Sequence, residues 1–435
     1  MNLYQRWQHI TAQFSQQHAL LDWKSGQSWT FAQIQAKLDR RPCLKPRSLV
    51  HPNGWQVELI FDTLQAWRDD AILCPVENDP PDRQVFGGIA ANIVHVKITS
   101  GSTAAPKLIL FTAEQLAADA ANIVSTMSLN PQSPNLGVIS MAHSYGFSNL
   151  VAPLLLHGIP LVWAGSPLPD LLKTIVQQNP QAYTLPAVPA MWRAWLQADA
   201  LTASNIQLAI SAGAPLSLEL EQRLLEEKGI KVHNFYGSSE CGGIAYDRSM
   251  TCRSDAAYVG TAMDRVELRS DPQNHCLAVT SDAVGETYWP AQSEESSLYG
   301  RSFVTSDRVD IDPTDNQIFL RDRHSDTINI AGRKVAPGKI EAAIGTAFPE
   351  IEHCLVFAVP SKDLERVEEV VACISNDQIK QAQIKAEITG KLSNFEIPRH
   401  WWFCPDLKPD SRGKISRRAW REKYLFTKDD LGGAS

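Results

Sequence analysis

Short apolar runs alternate with segments of helical periodicity along the first 240 residues. The runs predict strands at 71–75, 92–98, 136–141, 161–163, 182–185, 208–211 and 232–235. Apolar residues at helical spacing predict helices over 4–40, with polar interruptions, over 55–69 and over 113–125. Thr112 is the expected N-cap of the third helix. Strands that alternate with helices predict an α/β fold with a largely parallel sheet.

The pattern changes after Gly260. Short alternating stretches predict a small antiparallel β unit with strands at 266–269, 276–280 and 302–305. A second α/β segment begins after residue 326, with helices predicted at 338–347 and 379–391 and strands at 354–359 and 370–374. A chain of 435 residues is too long for one compact core, so we expect two or more domains.

Composition and charge exclude several classes of protein. Hydrophobic residues make up 44% and charged residues 20%, as in ordinary globular proteins. The net charge of −7 argues against a general nucleic-acid binder. The eight cysteines form no C-x-x-C pair, which argues against a zinc site. Residues 1–9 lack the apolar core of a signal peptide, and the uncharged segment 136–165 contains prolines and no apolar run long enough to span a bilayer. We therefore expect a cytoplasmic protein.

The most informative segment is 98–107, Ile-Thr-Ser-Gly-Ser-Thr-Ala-Ala-Pro-Lys. A strand that leads into a loop of hydroxyls and glycine, closed by a lysine, suits a polyphosphate, because hydroxyl and N–H groups donate to phosphate oxygens and the ammonium neutralises charge. The segment is not the nucleotide loop G-x-x-x-x-G-K-[ST]. By itself, such a run is more often an ordinary polar turn.

Four further segments follow it in order. They are Tyr-Gly-Ser-Ser-Glu at 236–240, Thr-Ser-Asp at 305–307, Arg-His-Ser-Asp-Thr-Ile-Asn-Ile-Ala-Gly at 323–332, and Ser-Arg-Gly-Lys-Ile-Ser-Arg at 411–417. The set resembles the adenylate-forming (AMP-binding) superfamily of acyl- and aryl-CoA ligases, luciferases and peptide-synthetase adenylation domains. The resemblance covers the chain from about Ile98 to Arg418.

The resemblance implies a domain organisation and a reaction. A large N-terminal α/β domain, 1–324, would contain parallel-sheet subdomains and the small β unit, with a shortened N-terminal part. A small, mobile C-terminal α+β domain, 325–435, would rotate over it about a hinge at Ser325. The implied reaction is activation of a carboxylic acid by ATP and Mg2+ to an acyl-adenylate with release of pyrophosphate, followed by transfer to the thiol of CoA.

The resemblance also implies a role for each matched residue. Glu240 would hold magnesium, Lys414 would bridge the carboxylate and the phosphate, and Gly332 would lie beside the pantetheine arm. The implied ATP-binding residues are Thr99, Ser100, Gly101, Ser102, Thr103, Lys107, Gly213, Ala214, Pro215, Tyr236, Gly237, Ser239, Asp307 and Arg323. In these roles the hydroxyl loop cradles the β- and γ-phosphates, Tyr236 lies against adenine, and Asp307 accepts hydrogen bonds from the ribose.

Residues 141–149 match the segment that lines the acyl pocket, with His143, Tyr145 and Gly146 as pocket residues. Amino-acid-activating relatives place an aspartate in this segment, and this chain has none, which favours an aryl or fatty acid over an amino acid. Two alternatives stay open. The acceptor could be an acyl carrier protein, or the chain could be a degenerate member that binds nucleotide or acyl chain without catalysis, as the departures at Ala104, Ser306 and Ser325 suggest.

Overall fold

The computed structural model describes residues 1–77, 88–99, 107–272, 275–289, 298–323, 328–330, 333–335, 337–361, 368–376, 378–410 and 415–432. The chain divides into two compact units. The first comprises 1–269, 278–305 and 311–319, and the second comprises 270–277, 306–310 and 320–435. Because the units interleave along the chain between residues 270 and 320, the domain boundary at residue 324 stays a prediction.

The first unit contains nine helices within the part of the chain that the structure describes. They are α1 (Leu3–Phe14), α2 (Phe31–Asp39), α3 (Glu58–Arg68), α4 (Ala113–Thr126), α5 (Ser144–Gly146), α6 (Ala152–His157), α7 (Pro169–Gln178), α8 (Pro189–Gln197) and α9 (Leu218–Lys228). A π-helical turn at Phe147–Val151 joins α5 to α6, and a 3-10 turn lies at Ala203–Asn205.

Most strands up to residue 323 are short. They are β1 (His18–Asp22), β2 (Gln27–Thr30), β3 (Leu49–Val50), β4 (Ile72–Leu73), β5 (Ile93–Thr99), β6 (Lys107–Thr112), β7 (Asn135–Gly137), β8 (Leu161–Trp163), β9 (Tyr183–Ala187), β10 (Ile206–Ser211), β11 (Val232–Ser238), β12 (Gly242–Tyr246), β13 (Tyr258–Ala262), β14 (Glu267–Ser270), β15 (Cys276–Thr280), β16 (Thr287–Trp289), β17 (Leu298–Tyr299), β18 (Ser302–Ile311) and β19 (Ile318–Arg323).

A parallel sheet forms the centre of the first unit, with the order β1-β8-β7-β9-β10-β11. Beyond β11, the antiparallel strands β12 and β13 extend it. A second sheet has the order β16-β6-β5-β4-β3, in which β5 and β6 are antiparallel. The predicted α/β fold with a largely parallel sheet is therefore confirmed.

The second unit has its own core. Its further elements are β20 (Ile328–Ile330), β21 (Arg333–Val335), α10 (Pro337–Ala347), β22 (Cys354–Pro360), β23 (Glu368–Ile374), α11 (Gln381–Ile388), β24 (His400–Phe403) and α12 (Arg417–Gly432). Aliphatic residues of α10 and α11, among them Ile340, Ile344 and Ile384, pack on one face of the sheet β22-β23-β24. Tyr424 of α12 packs with Leu355 and Val371 in a separate cluster.

The strand predicted at 136–141 ends at Gly137, the helix predicted at 379–391 is Gln381–Ile388, and the prediction for the first forty residues is wrong in its extent. The predicted helical stretch 4–40 is interrupted by the hairpin β1–β2. Its turn is set locally, because Oδ1 of Asp22 accepts from N–H of Lys24 and Gly26 has a φ of +71°. Strand β1 then pairs in parallel with β8, so that Leu20 lies opposite Leu161. Among the described residues, no helix is both long enough and apolar enough to cross a membrane.

Candidate functional site

Three predicted ligand-binding segments lie at one edge of the parallel sheet. Residues 141–149 follow β7, residues 213–215 follow β10, and Ser239 and Glu240 follow β11. Strands β7, β9, β10 and β11 run in the same direction, so their carboxyl ends meet at this edge. Ligands of open α/β sheets bind outside the carboxyl ends of the strands. The fold therefore brings together the segments predicted to contact the acyl group, the adenine and the metal.

The acyl segment is held across the ends of two strands. The hydroxyl of Tyr145 lies 3.3 Å from the carbonyl oxygen of Ala187 in β9 and 3.4 Å from that of Ile210 in β10. Its ring packs against Phe235 with a centroid distance of 5.8 Å. Burial raises the pKa of the Tyr145 phenol well above its usual value, so this hydroxyl stays protonated and serves as a donor.

His143 precedes the short helix α5 and is partly exposed. Its Nε2 lies 2.8 Å from Oε2 of Glu77. The sequence reasoning did not identify Glu77, which follows β4 and carries no motif. The contact places a carboxylate beside the predicted acyl pocket, although the segment 141–149 contains none of its own.

Glu240 lies in the turn between β11 and β12 and is half-buried. Its Oε1 accepts a hydrogen bond of 3.2 Å from the hydroxyl of Tyr288. The backbone of the turn is fixed as well, because N–H of Glu240 donates to Oγ of Ser238 and N–H of Gly285 donates to the carbonyl of Glu240. Tyr288 belongs to the strand β16, and Gly285 belongs to the turn before it. Strand β16 pairs with β6.

The predicted adenine segment begins with Gly213, which has a φ of +83°. This left-handed conformation favours glycine and turns the chain sharply after β10. The following residues, Ala214 and Pro215, are partly exposed and exposed, respectively. The backbone at Leu216 is fixed by a hydrogen bond, because Nη2 of the buried Arg253 donates to the carbonyl oxygen of Leu216 at 2.6 Å. A buried ion-pair network thus holds the turn that precedes α9.

This network contains two cations and two carboxylates, all buried. Nε of Arg253 donates to Oε2 of Glu221 at 2.7 Å. Nζ of Lys231 contacts Glu221 and lies 2.8 Å from Oδ2 of Asp247. Formal charges cancel, which such groups need in a low-dielectric interior.

On β11 itself, Tyr236 is half-buried and Gly237 is exposed. Gly237 pairs with Gly243 of β12, and the register shifts between Tyr236 and Gly237. This irregularity falls two residues before Ser239 and therefore leads directly into the turn that carries Glu240.

The predicted phosphate loop connects two antiparallel strands. Thr99 ends β5 and lies opposite Lys107, which begins β6. The side chains of these two residues, and all of Ser100, Gly101, Ser102 and Thr103, lie outside the described residues. The strand predicted before the loop and the helix α4 after it are both confirmed, including the cap at Thr112, whose Oγ1 accepts from N–H of Gln115.

The remaining predicted site residues belong to the second unit. Asp307 is half-buried on β18. Arg323 ends β19, and its side chain is outside the described part of the chain. Ser325, Gly332 and Lys414 also lie outside the described residues, and so does Ala104 of the phosphate loop. Their roles stay predictions.

The structure also reveals a buried polar cluster beneath the site. Lys97 of β5 and Asp119 of α4 are 3% and 5% exposed, and their Nζ and Oδ2 atoms lie 3.8 Å apart. Burial lowers the pKa of Lys97, and Asp119 opposes that shift. Two signals could have found this pair. Lys97 is the one ammonium in the apolar run 93–98, and Asp119 falls on the buried face of α4 beside Leu116 and Ala120.

The residues present suit a magnesium ion that is held mainly by a nucleotide. Magnesium takes oxygen ligands, and it is usually bound by one or two carboxylates together with phosphates. Glu240 offers one oxygen occupied by Tyr288 and a second that makes no hydrogen bond to the described residues. Within the same residues, no group of three or more His, Cys, Asp or Glu side chains could form a dedicated metal cage.

Comparison with known proteins gives a family match and several relatives. The sequence model of the family described as AMP-binding enzyme matches residues 30–288. The long-chain-fatty-acid–CoA ligase FadD13 of Mycobacterium tuberculosis is 23% identical over 346 residues, which are 76% of this chain and 68% of that protein. The feruloyl-CoA synthase of an Amycolatopsis species is 23% identical over 365 residues, or 80% of this chain and 72% of that protein.

The structure of ATP-bound MatB from Rhodopseudomonas palustris superposes on this chain with a TM-score of 0.84. The two chains are 19% identical, and the superposition covers 98% of this chain and 99% of that one. At this identity, the likeness shows a shared fold.

Proposed function

Because this chain belongs to the AMP-binding enzyme family, we propose that it is an AMP-forming acid–thiol ligase. The substrates are a carboxylic acid, ATP and CoA, and the products are an acyl-CoA, AMP and pyrophosphate. The observation that carries the proposal is the convergence of the acyl segment, the turn after β10 and the turn of Glu240 at the carboxyl edge of one parallel sheet.

Two displacements account for the products. A carboxylate oxygen attacks the α-phosphorus of ATP, and the bond from that phosphorus to the bridging oxygen of pyrophosphate breaks. The sulfur of the CoA thiolate then attacks the acyl carbon, and AMP leaves with the oxygen that linked the two. Both first reactants are anionic, so cations must offset their repulsion. Lys107, at the start of β6, and Lys414, in the segment before α12, are the ammonium groups assigned to this task.

Magnesium would be held by the carboxylate of Glu240 together with phosphate oxygens of the nucleotide. When bound, it offsets phosphate charge and withdraws electron density from the phosphorus. Tyr288 orients the carboxylate by donating to its Oε1. The hydrogen bond from Gly285 to the carbonyl of Glu240 fixes the turn. Tyr236 and the turn at Gly213 would enclose the adenine, because they end adjacent strands.

The proposed substrate is an aryl or fatty acid. An α-ammonium group would need a carboxylate partner in the acyl segment, and residues 141–149 contain no acidic residue. Glu77, which lies close by, is in contact with Nε2 of His143. The relatives support the same two classes, since one is named for long-chain fatty acids and the other for a feruloyl group.

The test is pyrophosphate release with ATP, magnesium and a panel of aryl, fatty and amino acids, with and without CoA. We expect release that depends on an aryl or fatty acid and that CoA sustains over many turnovers. If release stalls after about one turnover although CoA is present, the acceptor is the thiol of a carrier protein and not CoA. Absence of release with every acid would overturn the enzyme assignment in favour of a binding protein.

A further inference from the structure

We propose that the buried pair Lys97–Asp119 is a positioning pair for the proposed ligase reaction. It fixes the acyl segment against the turn that carries Glu240. The inference rests on the proposed function, and it goes beyond that function because neither residue belongs to a segment assigned to ATP, the acid or CoA.

The pair holds the acyl segment through two serines that are spaced by four residues. Nζ of Lys97 donates to Oγ of Ser144 at 3.1 Å. Oγ of Ser148 donates to Oδ2 of Asp119. Residues four apart lie on the same face of a helical segment. Both members of the pair therefore hold one face of the segment and fix its rotation. This sets the positions of Tyr145, on another face, and of His143, which directly precedes the helix.

Asp119 extends the same connection to β12. Its Oδ1 accepts a hydrogen bond of 3.2 Å from N–H of Gly243. The approach at the preceding residue is very close, since a Cβ atom on Gly242 would lie 2.0 Å from Oδ1 of Asp119. Gly242 and Gly243 begin the strand that follows Glu240. The Asp119 carboxylate is therefore in direct contact with the end of the Glu240 turn.

Among the described residues, the pair is surrounded by an aromatic ring and neutral side chains, and Glu240 is a further charge that acts on Lys97. The ammonium of Lys97 lies 4.3 Å from the centroid of the Phe111 ring. The neighbouring His95 is fully buried, and burial together with Lys97 lowers its pKa well below the usual value, so it stays neutral. Cys241 also stays a neutral thiol, because burial raises its pKa to about 12. Inside a low-dielectric interior, a half-satisfied charge is costly, so the serines and the pair are held together.

The first experiment removes the two hydroxyl links without leaving a buried charge unpaired. It compares the variant Ser144→Ala/Ser148→Ala with a matched control, Thr63→Ala/Ser133→Ala. The control removes two buried hydroxyls of the same unit, one bonded to the carbonyl of Leu59 and one to Gln207. Hydrogen exchange of peptides from 141–151 is measured in the ligand-free full-length protein, and KM and kcat are measured by pyrophosphate release.

We expect exchange in 141–151 to become at least tenfold faster in the serine variant and to stay unchanged in the control. The KM for the acid should rise at least fivefold, whereas kcat and the KM for ATP should stay within about twofold of the wild type. A merely structural role would lower the melting temperature of both variants and leave the exchange rates in 141–151 and the KM for the acid unchanged. Unchanged exchange, or equal changes in variant and control, would overturn the proposal.

The second variant, Lys97→Met/Asp119→Leu, removes both charges together and releases the Glu240 turn as well. Here we expect kcat to fall at least twentyfold in addition to the rise in KM, with faster exchange extending to 240–245. If this variant does not fold, the comparison of Ser144→Ala/Ser148→Ala with its control still tests the proposal. If the wild type activates no acid at all, the proposed function fails on its own, and the exchange comparison still tests the positioning pair.

Discussion

Glu240 combines a predicted chemical role with a defined hydrogen bond, and the two can be separated by substitution. Glu240→Gln keeps the size of the side chain and an acceptor for Tyr288 but removes the charge that a magnesium ion needs. We expect the rate of acid-dependent pyrophosphate release to fall at least about a hundredfold, because metal-assisted charge stabilisation contributes several kcal/mol.

The control for this prediction is Tyr288→Phe. It removes the hydroxyl that donates to Oε1, and a hydrogen bond to a charged group contributes about 1.5–3 kcal/mol. The loss of rate should therefore be smaller than in Glu240→Gln, and added magnesium should partly restore it. An equal loss in both variants would contradict a metal-binding role for Glu240.

His95 gives a prediction for the dependence of stability on pH. Burial, and then the nearby Lys97, lower the pKa of this imidazole well below 6.5 in the folded protein. Between that lowered pKa and about 6.5, only the unfolded chain binds the proton, so the free energy of unfolding decreases as the pH falls through this window. At pH 7.5 the contribution is fully present.

The measurement is urea unfolding at pH 7.5 and pH 5.5 for the wild type and His95→Leu. Leucine fills a comparable volume between the rings of Phe111 and Phe147 and carries no proton. Other titrating groups are common to both proteins and cancel in the difference. We expect the wild type to lose about 1 kcal/mol more than the variant between these pH values. Equal losses would show that folding does not lower the pKa of His95.

At the scale of single elements, the start of β12 tests how closely two segments pack. Gly242 has a φ of +69°, and an added Cβ would collide with the carboxylate of Asp119. Gly26 has nearly the same φ, +71°, but a Cβ there would have no heavy atom within 4 Å. The substitution Gly26→Ala therefore measures the cost of the backbone conformation alone, about 1 kcal/mol.

We expect Gly242→Ala to reduce the free energy of unfolding by about 1–3 kcal/mol more than Gly26→Ala, because the collision adds overpacking to the same backbone strain. Denaturant titration of both variants gives the difference directly. If the two costs agree, Asp119 can move away freely, and the connection between α4 and β12 is weaker than the distances indicate.

Elements whose signals are local could be predicted from the sequence. Helix α4 begins where Thr112 and Gln115 form a capping box, and each side chain bonds the backbone of the other as the pattern requires. The first forty residues show the limit. Their apolar residues fit helical spacing, yet pairing of Leu20 with β8 and the turn at Gly26 make 18–30 a hairpin. Long-range pairing of this kind has no signature within a short window.

The candidate site shows the same division between local and long-range information. Segments with fixed motifs, such as 236–240 and 213–215, could be found one by one, and their order along the chain gave the family. Sequence signals mark Lys97 and Asp119 as buried charges, but their contacts with the serines have no such signal, because they join residues 47 and 29 positions apart. The pairing of His143 with Glu77 is another contact that only the fold creates.

At the scale of the whole molecule, the family resemblance assigns the two half-reactions to different parts of the second unit. Lys414 is assigned to adenylation, and Gly332 is assigned to the passage of the pantetheine arm. On these assignments, a substitution at each position should impair one half-reaction and spare the other, because each step would use a different segment. Lys414→Ala should lose at least about a hundredfold in the rate of acyl-adenylate formation.

Supplied with preformed acyl-adenylate and CoA, Lys414→Ala should still produce acyl-CoA within about threefold of the wild-type rate. Gly332→Leu should show the opposite split, because a side chain at this position would obstruct the arm that glycine lets pass. Lys408→Ala removes an exposed ammonium six residues before Lys414 and should leave both rates unchanged, which controls for lost positive charge. Loss of both half-reactions in either variant would mean that the residue supports the second unit as a whole and not one chemical step.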